Sequence, residues 1–318
     1  MTETGVDILE AAKLLSAGQL VAIPTETVYG LAANALDADA VVQIFAVKER
    51  PAFDPLIVHL KSLESMYDYA SEIPATAIAL ASAFWPGPLT LVLPKKSIIP
   101  DLVSSGLSTV GLRVPSHPLT LALLQKLPFP LAAPSANPFG YISPTTPQHV
   151  HDQLQGKIPY ILDGGPCKVG VESTIVGFEG EQVLVYRLGG LTLEDIRKIV
   201  PHAQLQLSSS SDPKAPGMLL SHYAPRKKLL YGDLEHLLNH YSGKRVAVIS
   251  FSKDYSGYSG VVSNEILSPE GNLTEAAAHL FTAMRKLDKL EVEMILAEPV
   301  PDVGLGRAIN DRLRRASA

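Results

Sequence analysis

Three cationic side chains are the residues of this sequence best suited to do chemistry. Lys48 and Arg50 close the segment "DADAVVQIFAVKER", and Arg113 lies in the apolar segment "STVGLRVP". Lysine supplies a point charge and arginine a planar fork of donors, a combination that suits a polyanion such as a nucleoside triphosphate. The simpler interpretation of Lys48 and Arg50 is that they complement a helix dipole. Arg113 is harder to explain, because a charge between apolar strand residues needs a partner or a ligand.

Hydroxyl and imidazole side chains accompany the predicted strands. Thr25 closes "QLVAIPT", His59 lies in "PLIVHL", and Ser173 lies in "VESTIVGF". Strand ends are where α/β folds build their sites, and such groups can hold the oxygens of a ligand. His59 and Ser173 also have a structural interpretation, as packed strand residues. Asp54 is interpreted first as a turn residue.

Composition and missing motifs narrow the class of function. The 318 residues carry a net charge of −5 and a single cysteine, Cys167, which excludes an internal disulfide or a multi-cysteine zinc site and fits a reducing cytosol. The acidic balance gives no general attraction to nucleic acid or anionic membranes, although a local basic patch stays open. No apolar run is long enough to span a membrane, so we expect a cytoplasmic protein. P-loop, nucleophile-elbow, HExxH and kinase motifs are missing, so a nucleotide site would be of a less common design.

The elements that must position these residues form two regions. Over the first two-thirds of the chain, helices that begin at Asp7 and Asp37 alternate with many short strands. This pattern favours an α/β fold with a twisted mixed sheet and helices packed on it. The later part is more regular, with the strands "KKLLYGD", "KRVAVISF" and "EMILAEPV" and the helices "LTEAAAHLFTAMRKLDKL" and "GLGRAINDRLRRAS". That order predicts a small Rossmann-like βαβ domain.

A linker is predicted over residues 204–226, between a catalytic domain, 1–203, and a C-terminal domain, 227–318. It begins with a Ser/Pro/Lys run, yet its second half, "APGMLLSHYAP", carries apolar and aromatic residues such as Met218, Leu219 and Tyr223. A flexible linker of about 20 residues reaches roughly 25 Å, enough to fold back across a domain face. We therefore expect the linker to act as a lid over the active site, with the C-terminal domain as its anchor.

Six segments, taken in order, resemble one family. They are "PTETVYGLAANAL", "KERPAFDPLIVH", "STVGLRVPSHP", "APSANPFGYISPTT", "DGGPCKVGVESTIV" and "APGMLLSHYAP". The combination is similar to the YrdC-type threonylcarbamoyl-AMP synthases in their long, two-domain form, and it spans essentially the whole chain. The resemblance implies a YrdC-like fold and a nucleotidyltransferase that converts L-threonine, bicarbonate and ATP to threonylcarbamoyl-AMP and pyrophosphate. It also implies a downstream tRNA threonylcarbamoyl transferase, which uses the product to modify adenosine-37 of tRNA (t6A).

The resemblance assigns roles to residues by position. Lys48 and Arg50 become the catalytic residues, which hold the ATP phosphates; Mg²⁺ comes with ATP, and no protein metal site is implied. The other nucleotide positions are Ala52, Thr109, Ser135, Asn137, Ser143, Arg187 and Tyr223. The threonine positions are Thr25, His59, Arg113, Ala133 and Ser173, with Arg113 pairing with the amino-acid carboxylate. Phe139 departs from the family, where many members have serine, so no hydroxyl contact is expected there.

Two other functions stay open at this point. One is a non-catalytic RNA-binding module, against which the acidic balance and the 6% aromatic content argue. A weak contact with tRNA remains compatible with either function. The other is a carbamoyl-transferring hydrogenase maturation enzyme, which carries a similar domain. Its full-length form needs zinc-binding cysteine pairs, and the single cysteine excludes that form.

Overall fold

The structure, a computed structural model, describes residues 1–206 and 223–318. These residues fall into two units. The first contains Met1–Phe139, Pro144–Lys168 and residues 172–206, and the second contains Gly140–Ser143, Val169–Val171 and residues 223–318. Most of the predicted linker, with Met218 and Leu219, lies outside the described residues. The lid and the domain boundaries therefore stay predictions.

The first unit is built from short strands and short helices. Its strands are β1 (Glu3–Gly5), β2 (Val21–Ile23), β3 (Gly30–Asn34), β4 (Ile57–His59), β5 (Leu89–Pro94), β6 (Thr109–Arg113), β7 (Leu131–Ala132), β8 (Tyr160–Leu162), β9 (Thr174–Glu179), β10 (Gln182–Arg187) and β11 (Gln204–Leu205). Its helices are α1 (Ile8–Ser16), α2 (Ala38–Lys48), α3 (Met66–Tyr69), α4 (Ala75–Phe84), α5 (Asp101–Ser104), α6 (Pro118–Lys126), α7 (Pro147–Leu154) and α8 (Leu193–Ile199).

The strands described for this unit form one mixed sheet in the order β1-β8-β2-β3-β7-β4-β6-β5-β9-β10-β11. Parallel pairs, such as β4 with β6, occur beside antiparallel pairs, such as β2 with β3. The predicted twisted mixed sheet is thereby confirmed. Because β4 and β6 pair in parallel, His59 lies directly opposite Arg113 on the same face of the sheet.

The helix starts follow from side chains that are visible in the sequence. Asp7 and Asp37 each accept two backbone N–H groups in the first turns of α1 and α2, groups that a helix start otherwise leaves unpaired. α2 ends at Lys48, and Glu49 then adopts a left-handed conformation with φ of 54°.

The core of the first unit lies between the sheet and its helices. α1 and α6 contribute Leu15, Leu123 and Leu124, which pack with Ile23 of β2 and Tyr160 of β8. Burying side chains of this size is the main source of stability for such a sheet. The strands that carry the predicted site residues are therefore fixed from behind by apolar packing.

The second unit is a small parallel α/β arrangement. Its elements are β12 (Lys228–Tyr231), α9 (Leu234–His240), β13 (Val246–Ser250), β14 (Val261–Ile266), α10 (Leu273–Asp288), β15 (Met294–Ala297) and α11 (Gly306–Ala316). The strands pair in parallel in the order β12-β15-β13-β14. The predicted βαβ pattern is confirmed, with β14 as an edge strand that the sequence analysis did not identify.

The segment Gly140–Ser143 belongs to the second unit because α10 holds it. Arg285 donates from Nε to the carbonyl oxygen of Ser143 at 3.2 Å and from Nη2 to that of Ile142. The hydroxyl of Tyr141 donates to Asp288 Oδ2 at 2.7 Å, and the guanidinium of Arg285 lies 5.1 Å from the centre of the same ring. Two charged residues of one helix thus fix three consecutive residues of this segment.

Gly170 is a glycine of the second unit that a close backbone approach requires. Its φ is +78°, and a Cβ atom built on it would lie 2.4 Å from the carbonyl oxygen of Ala277 in α10. No side chain fits at that distance, and the left-handed conformation favours glycine independently. The segment Val169–Val171 is therefore packed against α10 by its backbone.

Candidate active site

Lys48 is a buried cation that main-chain oxygens hold. Only 1% of its surface is exposed, and Nζ donates to the carbonyl oxygens of Ser135 and Asn137, each at 2.5 Å. Burial and the nearby charge of Arg50 hold the pKa of Lys48 well below its usual range. Within residues 1–206 and 223–318, no carboxylate forms an ion pair with Nζ. Carbonyl dipoles orient an ammonium group without neutralising it, so this position favours an anionic ligand.

Arg50 is buried beside Lys48 and held by the loop that follows it. Nε donates to the carbonyl oxygen of Asp54 at 3.0 Å, Nη2 donates to that of Pro55 at 2.8 Å, and Nη2 lies 2.9 Å from Asp54 Oδ2. The guanidinium carbon lies 5.9 Å from the centre of the Phe139 ring, within the range of a cation–π contact. At the position where the family often has serine, this chain therefore presents an aromatic face to a cation.

Arg113 has its ion-pair partner in Glu26. Nη2 donates to Glu26 Oε1 at 2.6 Å and to the hydroxyl of Thr27 at 3.0 Å, and Nε donates to the carbonyl oxygen of Gly87 at 3.2 Å. The other carboxylate oxygen of Glu26 accepts from the backbone N–H of Ser116 at 3.0 Å. Nη1 makes no hydrogen bond to any residue in the described ranges. One edge of the guanidinium thus remains for a second carboxylate.

Thr25 shapes the turn that delivers Glu26 to Arg113. Its hydroxyl donates to the carbonyl oxygen of Val28 at 2.6 Å and lies 2.8 Å from the hydroxyl of Thr27. Such a side-chain-to-backbone bond closes a tight turn directly after β2. Thr25 is 2% exposed, so any ligand contact it makes would be inside the protein.

His59 is a buried, neutral imidazole beside Arg113. Burial and the charge of Arg113 lower the pKa of His59 to about 3. Its Nδ1 is buried and has no hydrogen-bond partner among the residues that the structure describes. A buried polar atom of this kind normally finds a partner, so His59 is suited to contact a ligand in its neutral form.

Ser173 and Arg187 form a network at the start of β9. Arg187 donates from Nη2 to the carbonyl oxygen of Ser173 at 2.9 Å and to its hydroxyl at 3.1 Å. The same hydroxyl lies 2.8 Å from that of Thr90. The charge of Arg187 also acts on Asp54, whose pKa is raised by burial and held back by the cations around it. Arg187 therefore connects the serine network with the Lys48–Arg50 cluster.

The remaining predicted residues of the first unit have mixed surroundings. Ser135 and Asn137 contribute the carbonyl oxygens that hold Lys48, and the backbone N–H of Ala133 donates to Ile57 at 3.0 Å. Thr109 is half-buried at the start of β6, and Ala52 is exposed. The structure thus brings Lys48 together with Ser135 and Asn137. Thr109 instead pairs with Pro94 across β5 and β6.

Ser143 and Tyr223 belong to the second unit. Ser143 is fully buried in the segment that Arg285 holds. Tyr223 is 1% exposed and has a left-handed backbone with φ of 67°. Its ring stacks on Phe281 at 5.6 Å, and the guanidinium carbon of Arg312 lies 5.0 Å from the ring centre. The nucleotide roles of both residues stay predictions.

Two carboxylates were not assigned to the site from the sequence. The role of Glu26 leaves no local signal in the sequence, because its partner Arg113 lies 87 positions away. Asp54 was interpreted as a turn residue, and its N–H does close a turn onto Pro51 at 3.3 Å. The ion pair with Arg50 four residues earlier is a second role, which the short spacing alone could have suggested.

The donor set beside Lys48 and Arg50 can be compared with the needs of Mg²⁺. Within the described part of the chain, no group of three His, Cys, Asp or Glu side chains is arranged to hold a metal ion. Asp54 is paired with Arg50. Mg²⁺ commonly binds through substrate phosphates and water with few protein ligands. These residues fit a Mg²⁺ ion that the phosphates of ATP carry.

Comparison with known proteins shows the family to which the chain belongs. Residues 13–189 match the family of Sua5, YciO and YrdC, described as "Telomere recombination", and residues 191–318 match the threonylcarbamoyl-AMP synthase C-terminal domain. The chain belongs to the threonylcarbamoyl-AMP synthase family, in its two-domain form.

Individual relatives cover nearly the whole chain. The threonylcarbamoyl-AMP synthase of Pyrococcus abyssi is 42% identical over 96% of this chain and 93% of its own length. That of Bacillus subtilis is 41% identical over 98% of this chain and 92% of its own. The crystal structure of P. abyssi Sua5 complexed with L-threonine superposes with a TM-score of 0.92, at 42% identity, over 98% of this chain and 94% of that one. Among the described residues, no helix is long and apolar enough to cross a membrane.

Proposed function

We propose that this chain is a threonylcarbamoyl-AMP synthase that converts L-threonine, bicarbonate and ATP to threonylcarbamoyl-AMP and pyrophosphate. The observation that carries the proposal is Lys48, a buried cation with carbonyl partners and no ion pair in the described residues. It lies beside Arg50 in a chain that matches relatives of this name over more than nine-tenths of their length.

The proposed phosphate subsite is formed by Lys48 and Arg50, with Asn137 close by. Threonine and bicarbonate give a carbamate, one oxygen of which attacks the α-phosphorus of ATP. The new O–P bond forms as the bond between the α-phosphorus and the bridging oxygen breaks. Pyrophosphate leaves with the electron pair of that bond and therefore gains negative charge. Fixed cations stabilise this charge without reorganising, which is the principal contribution a protein can make to phosphoryl-type transfer. Phosphate beside Lys48 would also favour its ammonium form.

The proposed threonine subsite is formed by Arg113, Thr25, His59 and Ser173, with the backbone at Ala133. Glu26 and Gly87 already fix the guanidinium of Arg113 through Nη2 and Nε, so the position of Nη1 is fixed as well. A carboxylate at Nη1 would gain a charge-assisted hydrogen bond with little loss of side-chain entropy. Neutral His59 and the hydroxyl of Ser173 offer hydrogen bonds to the polar groups of threonine.

The remaining assignments extend this proposal. Thr109, Ser135, Ser143, Arg187 and Tyr223 contact the nucleotide, and the backbone at Ala52 lies along the phosphates. Mg²⁺ enters with ATP and neutralises part of the triphosphate charge. The product passes to a downstream tRNA threonylcarbamoyl transferase in the cytoplasm. A direct contact with tRNA is weak, as expected for a chain of net charge −5.

The test is release of pyrophosphate by the purified full-length chain with MgATP and bicarbonate, with and without L-threonine. We expect release to depend on threonine and a threonylcarbamoyl-adenylate to accumulate in step with pyrophosphate. L-serine at the same concentration is the matched control for amino-acid specificity. Pyrophosphate release that ignores threonine, or none at all, would contradict the proposed function.

A further inference from the structure

Asp54 is a carboxylate in an unusual position. It is fully buried, with 0% of its surface exposed, and Oδ2 lies 2.9 Å from Nη2 of Arg50. Among the described residues, neither carboxylate oxygen receives a well-aligned hydrogen bond from an N–H or O–H group. A buried carboxylate that only served the fold would be expected to accept several hydrogen bonds. Asp54 is held by charge alone.

The charges around Asp54 are those of the proposed phosphate subsite. Burial raises the pKa of Asp54, and the positive charges of Arg50, Lys48 and Arg187, in that order, oppose the rise. The carboxylate thus stands among three cations, two of which are proposed to hold the ATP phosphates. An anion in this place competes with any other anion for the same cations.

The Arg50 guanidinium does not need the carboxylate in order to stay in place. Nε donates to the main-chain oxygen of Asp54 and Nη2 to that of Pro55, and both bonds survive any substitution of the Asp54 side chain. The Phe139 ring supports the guanidinium from another direction. Position and charge at Arg50 can therefore be separated by experiment.

We propose that the Asp54 carboxylate is a resident counter-anion of the phosphate site, which weakens the hold on pyrophosphate and so promotes its release. The inference rests on the proposed function, because it takes pyrophosphate as the product. Asp54 is a positioning residue here: it acts on the product through the cations. Removing its charge at constant shape should tighten pyrophosphate binding and slow the steady-state reaction at the release step.

The experiment measures binding of magnesium pyrophosphate by titration calorimetry, and its inhibition of turnover, in the full chain and in Asp54→Asn. We expect the variant to bind pyrophosphate about 10-fold more tightly, since one opposing charge within a buried cluster is removed. kcat should fall while KM for ATP falls with it. If the Asp54 carboxylate instead served to hold Arg50 in place, Asp54→Asn would bind pyrophosphate more weakly and show a higher KM for ATP. That result would overturn the inference.

Two further variants complete the design. Glu49→Gln is the control, because it removes one negative charge next to Arg50 in the sequence. The Glu49 side chain is 78% exposed, and its nearest cation is Lys157 at 3.7 Å. Solvent screens this charge, so the pyrophosphate affinity of the variant should stay within about twofold of the parent. Asp54→Ser repeats the loss of charge in a smaller side chain and should also tighten binding. If neither Asp54 variant folds, the carboxylate is required for the fold and the inference fails. If the parent chain binds neither ATP nor pyrophosphate, the proposed function itself fails.

Discussion

Buried charge is organised differently in the two units. Among the described residues, the first unit buries four cations, Lys48, Arg50, Arg113 and Arg187, with three carboxylates, Glu26, Asp54 and Glu172. The second unit buries two of each: Arg285, Arg312, Asp288 and Asp311. The first unit thus buries one more cationic than anionic side chain, whereas the numbers in the second unit are equal.

The contrast is sharpest between Lys48 and Arg312. Arg312 is fully buried, and its Nη1 lies 2.7 Å from Asp311 Oδ2 with the Tyr223 ring beside it. Lys48 is equally buried, yet its described partners are carbonyl oxygens. A buried cation that the protein itself neutralises is part of the structure, whereas one that it leaves charged costs stability until an anion binds. The surplus therefore marks the ligand site.

The largest effect is expected from removing the surplus cation. Lys48→Met should lower threonine-dependent pyrophosphate release by about 30- to 1000-fold, equivalent to ~2–4 kcal/mol of transition-state stabilisation. The free energy of unfolding should change little, because removing a desolvated ammonium offsets the loss of its hydrogen bonds to the carbonyl oxygens of Ser135 and Asn137. Steady-state kinetics and urea unfolding of the same preparation check both parts. Near-normal turnover would remove Lys48 from the phosphate subsite.

Arg312 should show the reverse behaviour. Arg312→Met leaves Asp311 with a weaker set of partners and removes the cation beside Tyr223, so the free energy of unfolding should fall by about 3 kcal/mol. Arg314→Met, on the exposed side of the same helix, should change it by less than about 0.5 kcal/mol. Chemical denaturation measures both. An unchanged stability in Arg312→Met would mean that the buried pair of the second unit is not structural.

His59 bears on the comparison of buried charge, because it is buried in the first unit in its uncharged form. Its pKa is about 3 in the folded chain and 6.5 when unperturbed, so between these values the unfolded chain binds more protons. Stability is therefore present above about pH 6.5 and lost as the pH falls, by about 2 kcal/mol between pH 7 and pH 5. We expect His59→Gln to remove this part of the pH dependence. A difference between parent and variant that stays constant from pH 7 to pH 5 would show that His59 has the same pKa in the folded and the unfolded chain, and would contradict this prediction.

The smallest effect concerns a single hydrogen bond of the second unit. Tyr141→Phe deletes the hydroxyl that donates to Asp288 at 2.7 Å and keeps the ring beside Arg285. Losing one hydrogen bond to a half-satisfied buried carboxylate should cost about 1–2 kcal/mol of unfolding free energy. Thermal unfolding at neutral pH is sufficient to detect it. A variant as stable as the parent would contradict this prediction. The segment Gly140–Ser143 would then contribute to stability through its backbone contacts with Arg285 and not through the Tyr141 hydroxyl.

Much of this organisation was predictable from local sequence. Asp7 and Asp37 predict helix starts, and runs of β-branched residues predict strands such as β13. The edge strand β14 was missed because "VVSNEI" is half-exposed and polar in its second half, which weakens the strand pattern. Two contacts could not be predicted: the ion pair of Glu26 with Arg113 and the hydrogen bond of Tyr141 to Asp288 in α10. They join residues 87 and 147 positions apart, and such contacts leave no local signal. The surplus of buried charge is likewise a property of the folded chain.

The central claim is that Lys48, which carbonyl oxygens hold without an ion pair in the described residues, is part of an anion site. Thermal unfolding with and without MgATP tests this claim most directly. Ligand binding to the folded state raises the unfolding temperature, and the rise grows with the ratio of ligand concentration to Kd. The account predicts that MgATP raises it for the parent chain and for Arg312→Met, each relative to its own baseline, and that Lys48→Met loses most of the shift. A full MgATP shift in Lys48→Met would contradict the account.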